Sequence, residues 1–224
     1  MPDERKASAA YIKRHYSAMF RAHGPSSKGV DWGSDRDVEF RYRKMLDVLE
    51  GDYERPSGVP SLLDVGCGWG GLLAYCLKRK IRIDYTGLDI VPEMIAHARK
   101  AYPSGKFIRG DLFEFRPAEK FDYVVGSGVL ALKLNDSIPQ TARFVRDAVM
   151  AMFDLCRYGT AFNLMSNMVN FMADNLYYTS PVEFLHFCLS EISPRVKLDH
   201  GYSCLNRGRG KLYEYTVYIY KDPR

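Results

Sequence analysis

The residues with the clearest chemical meaning form one short block, Leu62-Leu63-Asp64-Val65-Gly66-Cys67-Gly68-Trp69-Gly70-Gly71. An apolar pair leads to a carboxylate, glycines follow, and Leu72 to Leu77 resume an apolar run. That order reads as strand, tight turn and helix. Glycine lacks the Cβ that would hold a ligand away, so such a turn lets backbone amides approach a bound molecule closely. Gly66, Gly68 and Gly71 fit the G-x-G-x-x-G spacing of nucleotide-binding turns. Asp89 ends a second apolar segment, Tyr85 to Ile90, and lies 89 − 66 = 23 residues after the first glycine. At about that spacing a strand-end carboxylate accepts hydrogen bonds from ribose hydroxyls. Phe107-Ile108-Arg109-Gly110-Asp111-Leu112 again ends in an acid, and Phe121 to Gly128 ends in small residues.

Asp64-Val65-Gly66-Cys67-Gly68, Gly87-Leu88-Asp89-Ile90 and Gly110-Asp111-Leu112, in this order, resemble the signatures of class I S-adenosylmethionine-dependent methyltransferases. The resemblance covers roughly residues 60 to 220. NAD-binding turns usually carry an apolar residue where this chain has Asp64, and they must bind a pyrophosphate. S-adenosylmethionine has no pyrophosphate, and its methionine end carries an ammonium and a carboxylate.

The resemblance implies a set of roles. Asp64 lies near the ammonium, and Gly66, Cys67 and Gly68 approach the methionine moiety through backbone. Asp89 binds the ribose and Ile90 packs on the adenine. Asp111 accepts from the adenine amino group, with Gly110 in the same turn and Leu112 offering a backbone amide. Met94 either covers the ring or fills the core, and Asp89 and Asp111 are also residue types that cap helices and form turns. Ser127 and Gly128 stand where the family places its acceptor-facing loop.

Methyl transfer from a sulfonium is an in-line displacement in which an enzyme mainly aligns the acceptor and excludes water. Many family members therefore show no obvious base. Two segments are expected to cover the site. Tyr11, Tyr16 and Trp32 belong to the N-terminal one, and Tyr177 and Tyr178 to the stretch Asn167 to Thr179. Aromatic rings attract a sulfonium by about 0.5–2 kcal/mol. Arg41 either pairs with the cofactor carboxylate or is solvated. His23, in a glycine-containing loop, is the candidate general base. Lys133, Asn135, Asn163 and Ser166, at or past strand ends, are candidate acceptor contacts.

Three motifs are missing: Asn/Asp-Pro-Pro-aromatic, which holds a planar amino group on a nucleic-acid base; Pro-Cys, the nucleophile of pyrimidine-carbon methylation; and an acid after the fourth strand, used by magnesium-dependent enzymes of catechol type. The expected activity is metal-independent methyl transfer to a small-molecule O or N acceptor. The competing readings are an RNA or protein methyltransferase and a non-catalytic S-adenosylmethionine-binding protein.

These groups need a frame. Strands at 61–65, 84–89, 106–109, 121–126 and 160–165 alternate with helices at 70–80, 92–102 and 141–157. A further helix starts at Ser180-Pro181, and Val196 to Tyr202 and Leu212 to Tyr220 alternate like a closing antiparallel pair. This predicts an α/β, Rossmann-like, mostly parallel sheet of seven strands. The family's strand order is 3-2-1-4-5-7-6, with the last strand antiparallel. Upstream, residues 4–21 read as an amphipathic helix, and Ser34 or Asp35 caps a second that runs to about Glu50. The domain reading is an N-terminal helical lid over 1–55 and a methyltransferase core over 56–224.

The 224 residues are 46% hydrophobic and 13% aromatic, which suits one folded unit with an elaboration. The charged start, Met1 to Lys6, is not a secretory signal, and no apolar run has the length of a membrane span. The five cysteines form no C-x-x-C pair, so neither a zinc site nor a disulfide framework is expected. Cytoplasmic location and no membrane partner follow as expectations. The net charge of +5 is mixed along the chain except at Arg207-Gly208-Arg209-Gly210-Lys211. That run reads as a solvated hairpin loop or, alternatively, a nucleic-acid contact.

Overall fold

The computed structural model describes residues 2–51, 56–134, 137–202, 204–206 and 210–222. Asn135, Arg207 and Arg209 therefore lie outside the described residues, as does the side chain of Lys211.

The strands are β1 (Ser61–Val65), β2 (Asp84–Asp89), β3 (Lys106–Arg109), β4 (Phe121–Gly126), β5 (Cys156–Ser166), β6 (Tyr178–Thr179), β7 (Val196–Asp199), β8 (Cys204–Asn206), β9 (Gly210–Leu212) and β10 (Glu214–Tyr220). The helices are α1 (Pro2–His23), α2 (Asp35–Leu46), α3 (Gly71–Arg79), α4 (Pro92–Ala101), α5 (Ile138–Leu155) and α6 (Pro181–Glu191). The main sheet runs β3-β2-β1-β4-β5-β10-β7. β10 is antiparallel to both its neighbours, and the other ladders along this path are parallel. With β7 and β10 counted as sixth and seventh, this is the expected order.

Strands that are buried on both faces read as nearly continuous apolar runs. Neighbouring residues then feed opposite cores. Leu62, Tyr85, Val125 and Tyr218 pack with Tyr42 and Met45 of α2, Leu72 of α3 and Ile95 of α4. Leu63, Val124, Phe162 and Val217 pack with Val149 and Met152 of α5 and Phe184 of α6.

The structure corrects several expectations. The main sheet has eight strands, because the two-residue β6 pairs in parallel with the end of β5 inside a stretch read as loop. α5 begins at Ile138, three residues earlier than expected, because Ser137 Oγ accepts from Gln140 N and Pro139 fits the first turn. α5 ends at Leu155, and Cys156 and Arg157 belong to β5. The last expected strand is split. Gly210–Leu212 pairs with Cys204–Asn206 as a separate hairpin, and the closing strand starts at Glu214. The second N-terminal helix ends at Leu46 and continues to Glu50 as a tighter 3₁₀ turn. Ser34 caps it as expected, accepting from Asp37 N.

α1 lies against α4 and α5 beyond the carboxyl ends of the strands. Ser17 Oγ donates to Glu93 of α4 at 3.3 Å, and Arg5 pairs with Asp147 of α5 at 2.7 Å. α2 is tied to the sheet, because Tyr218 Oη donates to the Lys44 carbonyl at 2.9 Å. No helix among the described residues is long and apolar enough to cross a membrane.

Candidate active site

The glycine turn after β1 folds as its composition dictates. Gly66 and Gly68 adopt φ of +69° and +54°, in the left-handed region where a side chain is strained. The turn is held from β2: Gly66 N donates to the Leu88 carbonyl at 2.8 Å, and Gly68 N donates to Asp89 Oδ2 at 2.8 Å. Asp89 Oδ1 accepts from Val91 N at 2.8 Å. One carboxylate thus fixes the turns after β1 and β2. Burial raises the Asp89 pKa, and its backbone N–H partners oppose that shift.

Asp64 is buried, and Tyr85 Oη donates to its Oδ2 at 2.7 Å. Burial pushes its pKa up to about 7, the Tyr85 hydroxyl opposes this, and the negative charge of Asp89 adds to it. No basic side chain enters that balance. Asp111 Oδ1 accepts from Phe113 N at 2.9 Å, a local Asx turn.

These groups line one cavity of about 130 Å³. It gathers Asp64, Gly66, Cys67, Gly68, Asp89, Ile90, Met94, Gly110, Asp111, Leu112, Ser127 and Gly128, and α1 and the loop after it add Tyr16 and Trp32. Twelve of these stand along the carboxyl edge of the sheet, and the docking of α1 and its following loop brings Tyr16 and Trp32 to them. Two polar atoms of its wall, Ser127 Oγ and Trp69 Nε1, are buried without a hydrogen-bond partner among the described residues. An uncompensated buried carboxylate, two orphaned donors and a glycine cradle suit a ligand with a cationic end and several polar atoms. S-adenosylmethionine has that character, so the residues present fit it.

A second cavity, of about 300 Å³, adjoins the first. Tyr16, Val30, Trp32, Gly128 and Leu132 line both. The partition is tightly built: a Cβ at Gly128, whose φ is +75°, would stand 2.6 Å from Trp32 Cζ2. Tyr16 lies between Asp31 and Asp89. Burial, then those two charges, raise its phenol pKa, so it keeps its proton.

A buried polar network forms the floor of the second cavity. Arg41 Nε donates to both oxygens of Glu214, at 3.0 and 2.9 Å. Asn163 Nδ2 donates to Glu214 Oε2 at 3.1 Å, and Asn163 Oδ1 accepts from Gly128 N at 2.7 Å. The Arg41 guanidinium lies 4.8 Å from the Trp32 ring centroid. Arg41 and Asn163 therefore line the second cavity and not the first, and Arg41 is buried against Glu214, where the two alternatives were the cofactor carboxylate and solvent.

Other expected site residues lie elsewhere. His23 is exposed at the end of α1 and lines neither cavity. Tyr11 carries the Arg14 guanidinium 5.6 Å from its ring, away from both. Lys133 donates its backbone N–H to the Asn175 carbonyl at 2.9 Å, and its side chain lines neither cavity. Ser166 is buried, with its Oγ 2.7 Å from His200 Nε2. Tyr177 is in the second core, and its N–H donates to the Ala131 carbonyl at 2.8 Å. Tyr178 Oη accepts from Ala173 N at 2.8 Å, bracing its own loop. The aromatic pair is structural because alternation at β6 turns it toward the core and the loop backbone.

Sequence reasoning missed Asp31, Asp37 and Glu214 of the second cavity, whereas Asn175 belongs to the covering stretch Asn167 to Thr179 that it did mark. One signal was visible for Glu214, an acid opening the otherwise uncharged strand Glu214-Tyr215-Thr216-Val217-Tyr218-Ile219-Tyr220.

The open, mostly parallel sheet, the glycine turn and the acids at the ends of β1 and β2 and after β3 define a nucleotide-type cofactor site, and residues 62–150 match the family described as a methyltransferase domain. Those residues carry a methyltransferase domain of the class I S-adenosylmethionine-dependent type. The chain is 29% identical over 163 residues to the Mycobacterium tuberculosis protein Rv1506c, named as a methyltransferase, covering 72% of this chain and 93% of that one. It is 35% identical over 108 residues to the dTDP-3-amino-3,4,6-trideoxy-alpha-D-glucopyranose N,N-dimethyltransferase of Streptomyces venezuelae, covering 47% of this chain and 44% of that enzyme. The fold is similar to that of the N-methyltransferase NodS from Bradyrhizobium japonicum, solved with S-adenosylhomocysteine. That match has a TM-score of 0.63 at 16% identity and covers 95% and 98% of the two chains.

Proposed function

We propose that this methyltransferase acts on a small-molecule O or N acceptor held in the second cavity, with the cofactor in the first and α1 with the loop to Trp32 as a lid. The observation that carries the reading is the shared wall of Tyr16, Trp32 and Gly128 between the cavities. The names of the Streptomyces relative and of NodS, both N-methyltransferases, support it.

When bound, the cofactor would supply an electrophilic methyl group for in-line displacement from its sulfonium sulfur. The protein's part is positioning. Asp64 would face the ammonium, Gly66 and Gly68 would offer backbone to the methionine moiety, and Asp89 would accept from the ribose. Ile90, Met94 and Leu112 provide apolar wall, and Asp111 has an oxygen beyond its Asx turn for the adenine amino group. Tyr16 and Trp32 exclude water from the junction, and their rings favour a cationic centre there.

The test combines exchange and turnover. S-adenosylhomocysteine should slow amide exchange over residues 11–33. Product release should be driven by a low-molecular-mass metabolite fraction and not by bulk RNA or protein, and Trp32→Ala should lower it. Unchanged exchange makes the segment a fixed layer, and turnover on the macromolecular fractions alone overturns the small-molecule reading.

The pKa of Asp64 sets a pH dependence with a definite sign. The empty folded protein holds its proton up to about 7. A bound ammonium favours the ionised carboxylate, so binding below that pH must expel the proton. Cofactor affinity should rise by about tenfold per unit from about pH 5 to 7 and level off above. Calorimetry across that range checks it, and Asp64→Asn should bind more weakly with a flat profile. An equally steep profile in the variant would assign the proton to another group.

A further inference from the structure

The second cavity has a charge character that selects among acceptors. Three carboxylates line it, Asp31, Asp37 and Glu214, and among the described residues Arg41 is the one cation in its wall. That cation is engaged by Glu214 through Nε and lies over Trp32. Glu214 is in turn committed to Arg41 and Asn163, and is 1% exposed. Asp31 and Asp37 remain as the accessible charges.

Asp31 is built for its place. It closes the 3₁₀ turn Lys28–Val30 at φ 58°, one of two non-glycine residues with positive φ among those described. Such a conformation costs a non-glycine residue free energy and persists where the surroundings enforce it. Here those surroundings are polar groups converging on Asp31 Oδ2: His15 Nε2 at 3.2 Å from α1 and Asn175 Nδ2 at 3.5 Å from the loop before β6. The carboxylate is thereby fixed at the cavity mouth, beside the Tyr16 and Trp32 partition that faces the cofactor cavity. Asp37 stands on the α2 side, with Oδ2 accepting from Ser34 Oγ at 2.7 Å.

We infer that the methyl acceptor is an amine, recognised as its ammonium by Asp31 and Asp37 and releasing one N–H proton to solvent before its nitrogen lone pair takes the methyl group, and that this cavity rejects carboxylate acceptors. The inference rests on the assignment of the two cavities proposed above and goes beyond it by choosing nitrogen over oxygen and fixing the sign of the acceptor's charge. An anion would face two accessible like charges with one guanidinium already neutralised. An ammonium gains ion pairs there, and the exposed Asn175 adds hydrogen-bonding capacity for a polar body.

Saturation-transfer NMR on the protein loaded with S-adenosylhomocysteine tests this with matched pairs: glucosamine and glucuronate, cyclohexylamine and cyclohexanecarboxylate, phenethylamine and hydrocinnamate. Product binding is measured first, and its absence sinks the cofactor assignment rather than the amine inference. The amines should bind at neutral pH in preference to their carboxylate partners. Asp31→Asn should weaken amine binding about tenfold, one lost ion pair, with product affinity held within about twofold. Asparagine tolerates the left-handed backbone, so this change removes charge and spares the turn. Asp37→Asn supplies a second reading in the same direction. Carboxylates binding as well as amines, amines indifferent to both substitutions, or no binding in either series overturns the inference.

Discussion

Asp89→Ala should lower affinity for S-adenosylhomocysteine by about 100-fold or more. The carboxylate is asked to do two things. It offers lone pairs to the ribose, and it holds Gly68 N and Val91 N, each at 2.8 Å. Hydrogen bonds to a charged group contribute about 1.5–3 kcal/mol each, so losing the ribose contacts alone reaches the 100-fold range. Freeing the two amides loosens the turns after β1 and β2 together and adds to the loss. Asp89→Asn should fall between, since it keeps an acceptor and a similar shape. Calorimetry on the three proteins measures this. Equal binding by wild type and Asp89→Ala, or tighter binding of NAD than of the methyl-transfer product, would remove the ribose role.

Glu214→Ala should give the largest loss of stability, about 3–5 kcal/mol, because it leaves the Arg41 guanidinium as an uncompensated buried charge. Asn163 would also lose an acceptor, and with it the brace on Gly128. Urea unfolding should show a lower midpoint with an unchanged slope. The double substitution Arg41→Met with Glu214→Leu should recover most of the stability, since apolar residues of similar volume often replace a buried pair at little cost. It should not recover turnover, because the Gly128 wall stays unbraced. Loss of less than about 0.5 kcal/mol in Glu214→Ala would mean that water reaches the pair.

Local chemistry in the sequence determined the cofactor side. Strand, turn and helix around Asp64 to Gly71 follow from apolar runs broken by glycine, and the acids at 64, 89 and 111 stand at strand ends because the strands end there. A parallel sheet puts all its carboxyl ends on one edge, so residues 47 apart in sequence, Asp64 and Asp111, line one cavity without any long-range detail being known. The strand order came from the family resemblance and from no local pattern. The starts of α2 and α6 were legible too, since a serine and the N–H groups it accepts from are sequence neighbours, whereas Ser137, which caps α5, went unread.

Tertiary structure alone decided the acceptor side. Asp31 and Asn175 meet across 144 positions, and Arg41 and Glu214 across 173. Periodicity carries no information about such pairs, because a buried ion pair is set by which helix crosses which strand. Composition therefore marked Tyr177, Tyr178 and His23 by type, and packing turned the tyrosines inward and left the histidine in solvent. Glycines and strand-end acids are constrained by their own backbone and can be read locally. The charges of the second cavity owe their place to the antiparallel insertion of β10 beside β5 and to the docking of α1 and α2, and those are properties of the whole fold.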